Sequence, residues 1–392
     1  MNLPALVIFD TSTLPEYYND VQTILALPQG HVVTYDYGAG NVAADTLPVL
    51  TQLLQPDKTT RAILAYMEPT GYSKGAGTDA TSALPEPTFQ TLTRLARVLD
   101  VREIQYGKSV RYYIDLELLG YPSDRDQAQA KTIVSALRAS ADIPMKTYVA
   151  LCPALSVDLF AESSQERGFS QIVTALSEGS QFSKDTFWRL TKITYRTKSL
   201  IPLRTKAEKV LTPKRRTIDE KSYSFLDVVD QSTLHFYLQF HRGKEHGTDY
   251  RIRWITVEGS PKSSSDLVQS GFWSRSFGLE TVAISIPATS SLSTQEARFQ
   301  LFTKLHADDE KKDYPYGPQL VIAVRYSKDF FRSLLAIAAL CTASGLFAWA
   351  AFSTAGVDVR CRIVAIVLGV LASLYAYYLW TDEVALDKAR RT

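Results

Sequence analysis

Two long stretches without a charged side chain dominate the hydropathy pattern, Ser333 to Val357 and Ile363 to Trp380. A helix needs roughly 17–25 mostly apolar residues to cross about 30 Å of hydrocarbon. The pattern therefore predicts spans over about 333–354 and 363–380. The link between them, Asp358-Val359-Arg360-Cys361-Arg362, is short and polar, which predicts two antiparallel helices lying side by side.

Upstream, the apolar positions come in shorter runs. Ala5–Phe9 is continuous and apolar, as a buried strand is. Residues 30–37 and 61–66 are further strand segments, and Val110–Leu118 alternates, with Tyr112, Ile114, Leu116 and Leu118 on one face. Gly107 precedes it and predicts a hairpin with residues 99–104. Asp115 and Glu117 fall on the opposite face, which predicts that both are solvated. Helices are expected at 124–139, at 165–177 behind the capping box Ser163-x-x-Glu166, and around 184–192. Phe89–Val98 fits either period. Farther on, Leu234, Phe236, Leu238 and Phe240 alternate with polar positions, and residues 250–258, 279–286 and 320–326 continue as strands. A helix is expected over 294–306, behind Ser293-x-x-Glu296.

The expected class is α+β, with two β-rich cytoplasmic domains followed by a C-terminal two-helix transmembrane hairpin. The expected parts are an α+β domain at 1–185, a basic junction at 186–220 and a mostly β sandwich or open barrel at 221–327. The hairpin at 330–381 and a basic tail at 382–392 complete the chain.

Charge adds an orientation. Lys311, Lys312, Arg325, Lys328 and Arg332 precede the first span; Lys388, Arg390 and Arg391 follow the second. Basic residues near membrane ends stay on the cytoplasmic side, so both termini are expected there, in a bacterial-type inner membrane. The aromatic residues Phe330, Phe331, Tyr375, Tyr377, Tyr378 and Trp380 form a belt at that same interface. The start, MNLPALVIFDTS, has neither the basic nor the long apolar region of a secretory leader. Three cysteines, Cys152, Cys341 and Cys361, build no disulfide framework.

The net charge of +2 conceals one concentration. Residues 189–221 hold eleven basic side chains against three acidic ones, so the rest of the chain is acidic. Pro213-Lys214-Arg215-Arg216-Thr217 reads as a loop. Arg204, Lys206, Lys209, Lys214, Arg215 and Arg216 are the candidates for contact with anionic lipid, worth about 1 kcal/mol per basic residue at the surface, or for an anionic ligand. A solvated linker is the plain alternative. No motif supports nucleic acid as a partner.

Within the spans, Ala365, Gly369 and Ser373 recur every four residues on the second, and Ala339 and Ala343 do so on the first, with Gly345 nearby; small residues at that spacing let helix backbones approach. They would pack the hairpin itself or join it to another copy as a homo-oligomer. No Asp, Glu, Lys, Arg or His lies inside either span, so nothing supports a proton relay or charged filter. The expected partners are thus the lipid bilayer and other copies of the chain.

Catalytic chemistry has one candidate. Asp10 ends an apolar strand in Val7-Ile8-Phe9-Asp10-Thr11-Ser12, which resembles the opening strand of PIN-domain nucleases, where an Asp helps hold a divalent metal. It is also similar to the haloacid-dehalogenase start, except that Ser12 stands where that motif has its second Asp. Glu68, Asp100, Asp115 and Glu117 are the carboxylates available to such a site. His235, His241 and His246 lack ligand spacing and read as exposed strand histidines. Gly71–Gly77 lacks the order of a phosphate loop. No metal and no cofactor is expected. The plan as a whole, cytosolic domains ahead of paired transmembrane helices, is similar to membrane-acting effectors of bacterial immunity. It implies a sensor or effector that acts through the hairpin. The alternative is a membrane-localised metal-dependent hydrolase or nuclease using Asp10.

Overall fold

The computed structural model describes residues 5–11, 15–52, 60–69, 87–122, 127, 149–152, 165–179, 187–197, 200, 208–218, 221–230, 232–241, 250–256, 272–274, 279–286, 294–305, 319–353 and 358–380. All of the expected helix at 124–139 but Gln127, the Gly71–Gly77 segment, His246 and the tail at 382–392 lie outside them.

The chain is mixed α+β, built mostly from strands and ending in two apolar helices. The first sheet contains β1 (Ala5–Thr11), β2 (Val32–Gly38), β3 (Thr60–Pro69), β4 (Pro87–Tyr106), β5 (Ser109–Leu118) and β6 (Val149–Cys152). Its order is β2-β5-β4-β3-β1-β6, with β1 parallel to β3 and the other pairs antiparallel. Helices α1 (Pro15–Ala26), α2 (Leu47–Gln52) and α3 (Gln165–Gly179) accompany it. The expected strand at 5–9, the strands at 30–37 and 61–66, the helix at 165–177 and the 99–118 hairpin all form. Gly107 turns that hairpin at φ +60, a left-handed conformation natural to glycine.

Strands β7 (Phe187–Thr197), β8 (Lys209–Val210), β11 (Ser232–His241) and β14 (Leu279–Ser285) form a four-stranded sheet in the order β14-β11-β7-β8. A second six-stranded sheet contains β9 (Lys214–Ile218), β10 (Lys221–Val229), β12 (Tyr250–Thr256), β13 (Phe272–Ser274), β15 (Gln295–Leu305) and β16 (Gln319–Ser327). Its order is β13-β12-β15-β16-β10-β9, and β10 runs parallel to β16. One buried cluster joins all three sheets, taking Leu64 and Ile114 from the first, Trp188 and Phe236 from the second and Ile322 and Val324 from the third.

Three expectations are corrected, and one left open is settled. The helix around 184–192 is strand β7, paired with both β8 and β11. The helix at 294–306 is strand β15, held between β12 and β16. In both, pairing on two sides fixes the strand, and for β15 it overrides the local capping box. The ambiguous 89–98 segment belongs to the twenty-residue strand β4, and the loop at 213–217 is largely the edge strand β9, paired with β10.

Helices α4 (Phe330–Phe352) and α5 (Val359–Trp380) form the expected hairpin. At about 1.5 Å per residue each exceeds the roughly 30 Å of a bilayer core. Both extend beyond the expected spans at their N-terminal ends, so Arg332, Arg360 and Arg362 sit in terminal turns.

Candidate functional site: the hairpin and its base

The hairpin is joined to the strands without slack. Strand β16 ends at Ser327 and α4 begins at Phe330. The intervening Asp329 caps α4, its Oδ1 accepting from the Arg332 amide at 3.1 Å. The Asp329 amide in turn donates to Oδ1 of Asp230 at 2.8 Å, and the Asp230 amide donates to the Ser327 carbonyl at 2.8 Å. Asp230 follows β10 directly and is buried, as are Tyr326 and Arg332. Burial, followed by the Asp230 charge, raises the Tyr326 phenol above its ordinary range. A second attachment comes from the far helix, where the Tyr375 hydroxyl donates to the Leu200 carbonyl at 2.9 Å. Both helices are therefore held at the same end, α4 by Asp230 just after β10 and α5 by Leu200, a bend residue after β7.

Along the hairpin, Ala336, Ala343 and Ala350 of α4 are buried, with Ala365, Ala376 and Leu379 of α5. Ala339 and Ser373 are half-buried, and Ser373 Oγ donates to the Gly369 carbonyl. A Cβ added at Gly369 would meet Phe347 Cε1 at 2.9 Å, whereas one at Gly345 would meet nothing within 4 Å. Ala343, Ala365 and Gly369 thus belong to the seam inside one hairpin, and Gly345 faces away from it. Large apolar side chains such as Leu334, Ile337, Phe352, Ile363 and Leu371 stay exposed on the outside, a surface suited to lipid. Gly369→Leu is expected to force the helices apart and to weaken their association by about 1–3 kcal/mol. SDS titration of the purified chain measures this; Gly369→Ala, which asks only Phe347 to swing outward, should cost less.

Four of the six basic candidates are built into the sheets, Lys209 on β8 and Lys214, Arg215 and Arg216 on β9. Lys214 pairs with Asp227 at 2.7 Å, and Arg216 with Glu296 at 3.7 Å. Lys209 is exposed on β8. Arg204 and Lys206 lie outside the described residues. Arg215 points inward, with Nη2 at 2.6 Å from Asp115 and 2.9 Å from Asp100.

That contact exposes a correction. Asp115 is not solvated but completely buried. It also binds Arg102 at 2.8 Å and accepts from Thr34 and Ser222, each at 2.6 Å. Asp100 and Asp115 face each other across β4 and β5, a like-charge pair that is unfavourable alone. Arg215 and Arg102 neutralise it. The cluster joins the first sheet to β9 and β10, and the Val32 amide, donating to Ser224 Oγ, extends the joint. The Asp115–Arg215 contact spans one hundred positions, so no local sequence pattern signals it. Glu117 pairs with Arg97.

The strand histidines are less exposed than expected. His235 Nδ1 lies 2.8 Å from Glu208, which also accepts from the Tyr237 hydroxyl at 2.7 Å and Thr194 at 3.0 Å. The Tyr237 hydrogen bond, ahead of the other causes, lowers the Glu208 carboxyl. His241 is lowered by burial and meets the Phe169 ring edge-on. Asp10 pairs through its backbone register with Tyr66. Among the described residues, no group of three or more His, Cys, Asp or Glu converges as a metal site. No protein-family model matches the chain, and no curated protein is significantly similar to it.

Proposed function

We propose that this chain is a membrane-anchored sensor or effector whose cytoplasmic strands bind a ligand or partner and act through the hairpin. The observation that carries this reading is the double attachment at the hairpin base, Asp230 to Asp329 on one helix and Leu200 to Tyr375 on the other. A flexible tether would decouple the two parts; here β16 runs almost directly into α4, so a displacement of β10 or β16 levers the helices. The termini are cytoplasmic and the membrane is the bacterial inner membrane in this reading, with the perturbed bilayer as the output, as suits an antiviral defence effector. One hairpin encloses no pore, so the output requires several copies to assemble, and Gly345 is one of the exposed small residues of α4, with Ala338, Ser344 and Ala348, open to that contact. The alternative, a hydrolase centred on Asp10, has no convergent described ligands behind it.

The test is dye leakage in bacterial cells making the full chain or a chain ending before Phe330. Leakage confined to the full chain supports the reading. Intact membranes in both would reduce the hairpin to an anchor.

A further inference from the structure

A second buried cluster lies away from the hairpin base, where the C-terminal turn of α1 meets the end of β5. Arg94, on β4, is fully buried, and His31 and Arg189 are nearly so. The Arg94 guanidinium stacks 4.0 Å from the centre of the Tyr121 ring, and that of Arg189 lies 5.4 Å from the same ring and 5.0 Å from Phe169. Arg94 Nε donates to the Leu119 carbonyl at 2.8 Å, and its Nη1 reaches the Ile24 carbonyl at 3.5 Å. The Tyr121 hydroxyl donates to the Leu25 carbonyl at 2.5 Å. The end of α1 therefore offers the cation some of the partial negative charge of a helix C-terminus.

That compensation is incomplete. Arg94 Nη2 and His31 Nδ1 are buried and have no hydrogen-bond partner. A buried polar nitrogen in that condition is costly, and a charged one more so. Among the described residues no carboxylate pairs with Arg94, and its charged neighbour is a second guanidinium, which raises the local positive potential further. We propose that Arg94 and His31 form an oxyanion-binding site that takes a phosphate-type group, with Arg189 adding to its positive field. Guanidinium nitrogens suit the oxygens of such a group geometrically, and two neighbouring cations favour a dianion over a carboxylate. His31 is held neutral by burial and by Arg94, so its ring can supply a donor without a third charge.

The site is closed over by Tyr121 and Phe169, which pack with Val21 and Leu25 of α1 and with Ile172 and Val173 of α3. An entering phosphate has to part α1 from α3. Because α1 also packs against β16, the strand that leads into the hairpin, occupation of the site would reach the membrane helices by the shortest route through the fold. This consequence rests on the sensor reading; the binding itself does not, and it is measured separately from leakage.

The experiment is thermal unfolding of the purified full chain in detergent with low-millimolar inorganic phosphate, a nucleoside monophosphate, or chloride at matched ionic strength. The expected result is a melting temperature that rises with the logarithm of phosphate concentration. Arg94→Met should abolish the rise, and His31→Gln should displace it several-fold to higher concentration. A rise with the nucleoside monophosphate alone, lost in Arg94→Met, assigns the site to a phosphate carried on a nucleoside. No rise beyond chloride with either compound overturns the proposal, as does an equal rise in Arg94→Met. Should that variant not fold, an unchanged response in His31→Gln overturns it.

Discussion

Replacing Asp115 by Ala is expected to destabilise the strand-rich part by about 3 kcal/mol. Breaking a buried ion pair from one side typically costs about 3–5 kcal/mol, because the partner charge is left without compensation. Here Arg102 and Arg215 both lose their shared carboxylate, and their side chains retain 20% and 30% exposure, which places the cost at the lower end. Thr34 and Ser222 also lose an acceptor. Denaturant unfolding of the full chain in detergent measures the change, and a loss below about 1 kcal/mol would show that the arginines rehydrate freely. Asp115→Asn, which keeps an acceptor for the hydroxyls, should fall between the two.

Acid should destabilise the protein through His31. Its pKa is lowered from 6.5 to about 4, first by burial and then by Arg94. The unfolded chain therefore binds a proton that the folded chain refuses. The contribution of neutral His31 is complete above about pH 6.5 and is lost as pH falls from there towards 4. At 1.36 kcal/mol per pKa unit, the full loss is about 3 kcal/mol. Stability measured at pH 7 and pH 4 in the natural chain and in His31→Gln isolates this term from the carboxylates, which titrate in both. The natural chain should lose about 3 kcal/mol more than the variant; equal losses would mean that His31 is protonated in the fold.

The parts of this protein that were legible in its sequence are those with strong local periodicity. The two spans needed only length and the lack of charge, and β5 announced itself by alternation from Tyr112 to Leu118. Strands β7 and β15 did not, because the capping box ahead of β15 imitates a helix start and the mixed composition of β7 shows no clean alternation, and only pairing on both flanks fixes them as strands. Asp115 was misread for a related reason. Alternation places it opposite Ile114 and Leu116, and a polar residue on that face is solvated only if nothing covers the face. Strands β9 and β10 cover it, bringing Arg215 and Ser222 from a hundred positions away. The hairpin base shows the same limit. The short link from Tyr326 to Phe330 was visible, whereas the contacts of Asp230 with Asp329 and of Leu200 with Tyr375 depend on tertiary packing. The small residues divide similarly: four-residue spacing marks Ala339 with Ala343 and Ala365 with Gly369 and Ser373, but only the packed hairpin places Ala343 and Gly369 in the seam within one chain.

The most direct test of coupling between strands and membrane is to cut both attachments while leaving the hairpin intact. Dye leakage would be compared in cells making the natural chain and the Asp230→Ala, Tyr375→Phe double variant, with membrane insertion and abundance checked in each. If the strands drive the helices, the double variant inserts normally and leakage falls sharply. Leakage at the natural level from a variant that has lost both hydrogen bonds would show that the double attachment at the hairpin base does not carry the coupling, and would contradict the account.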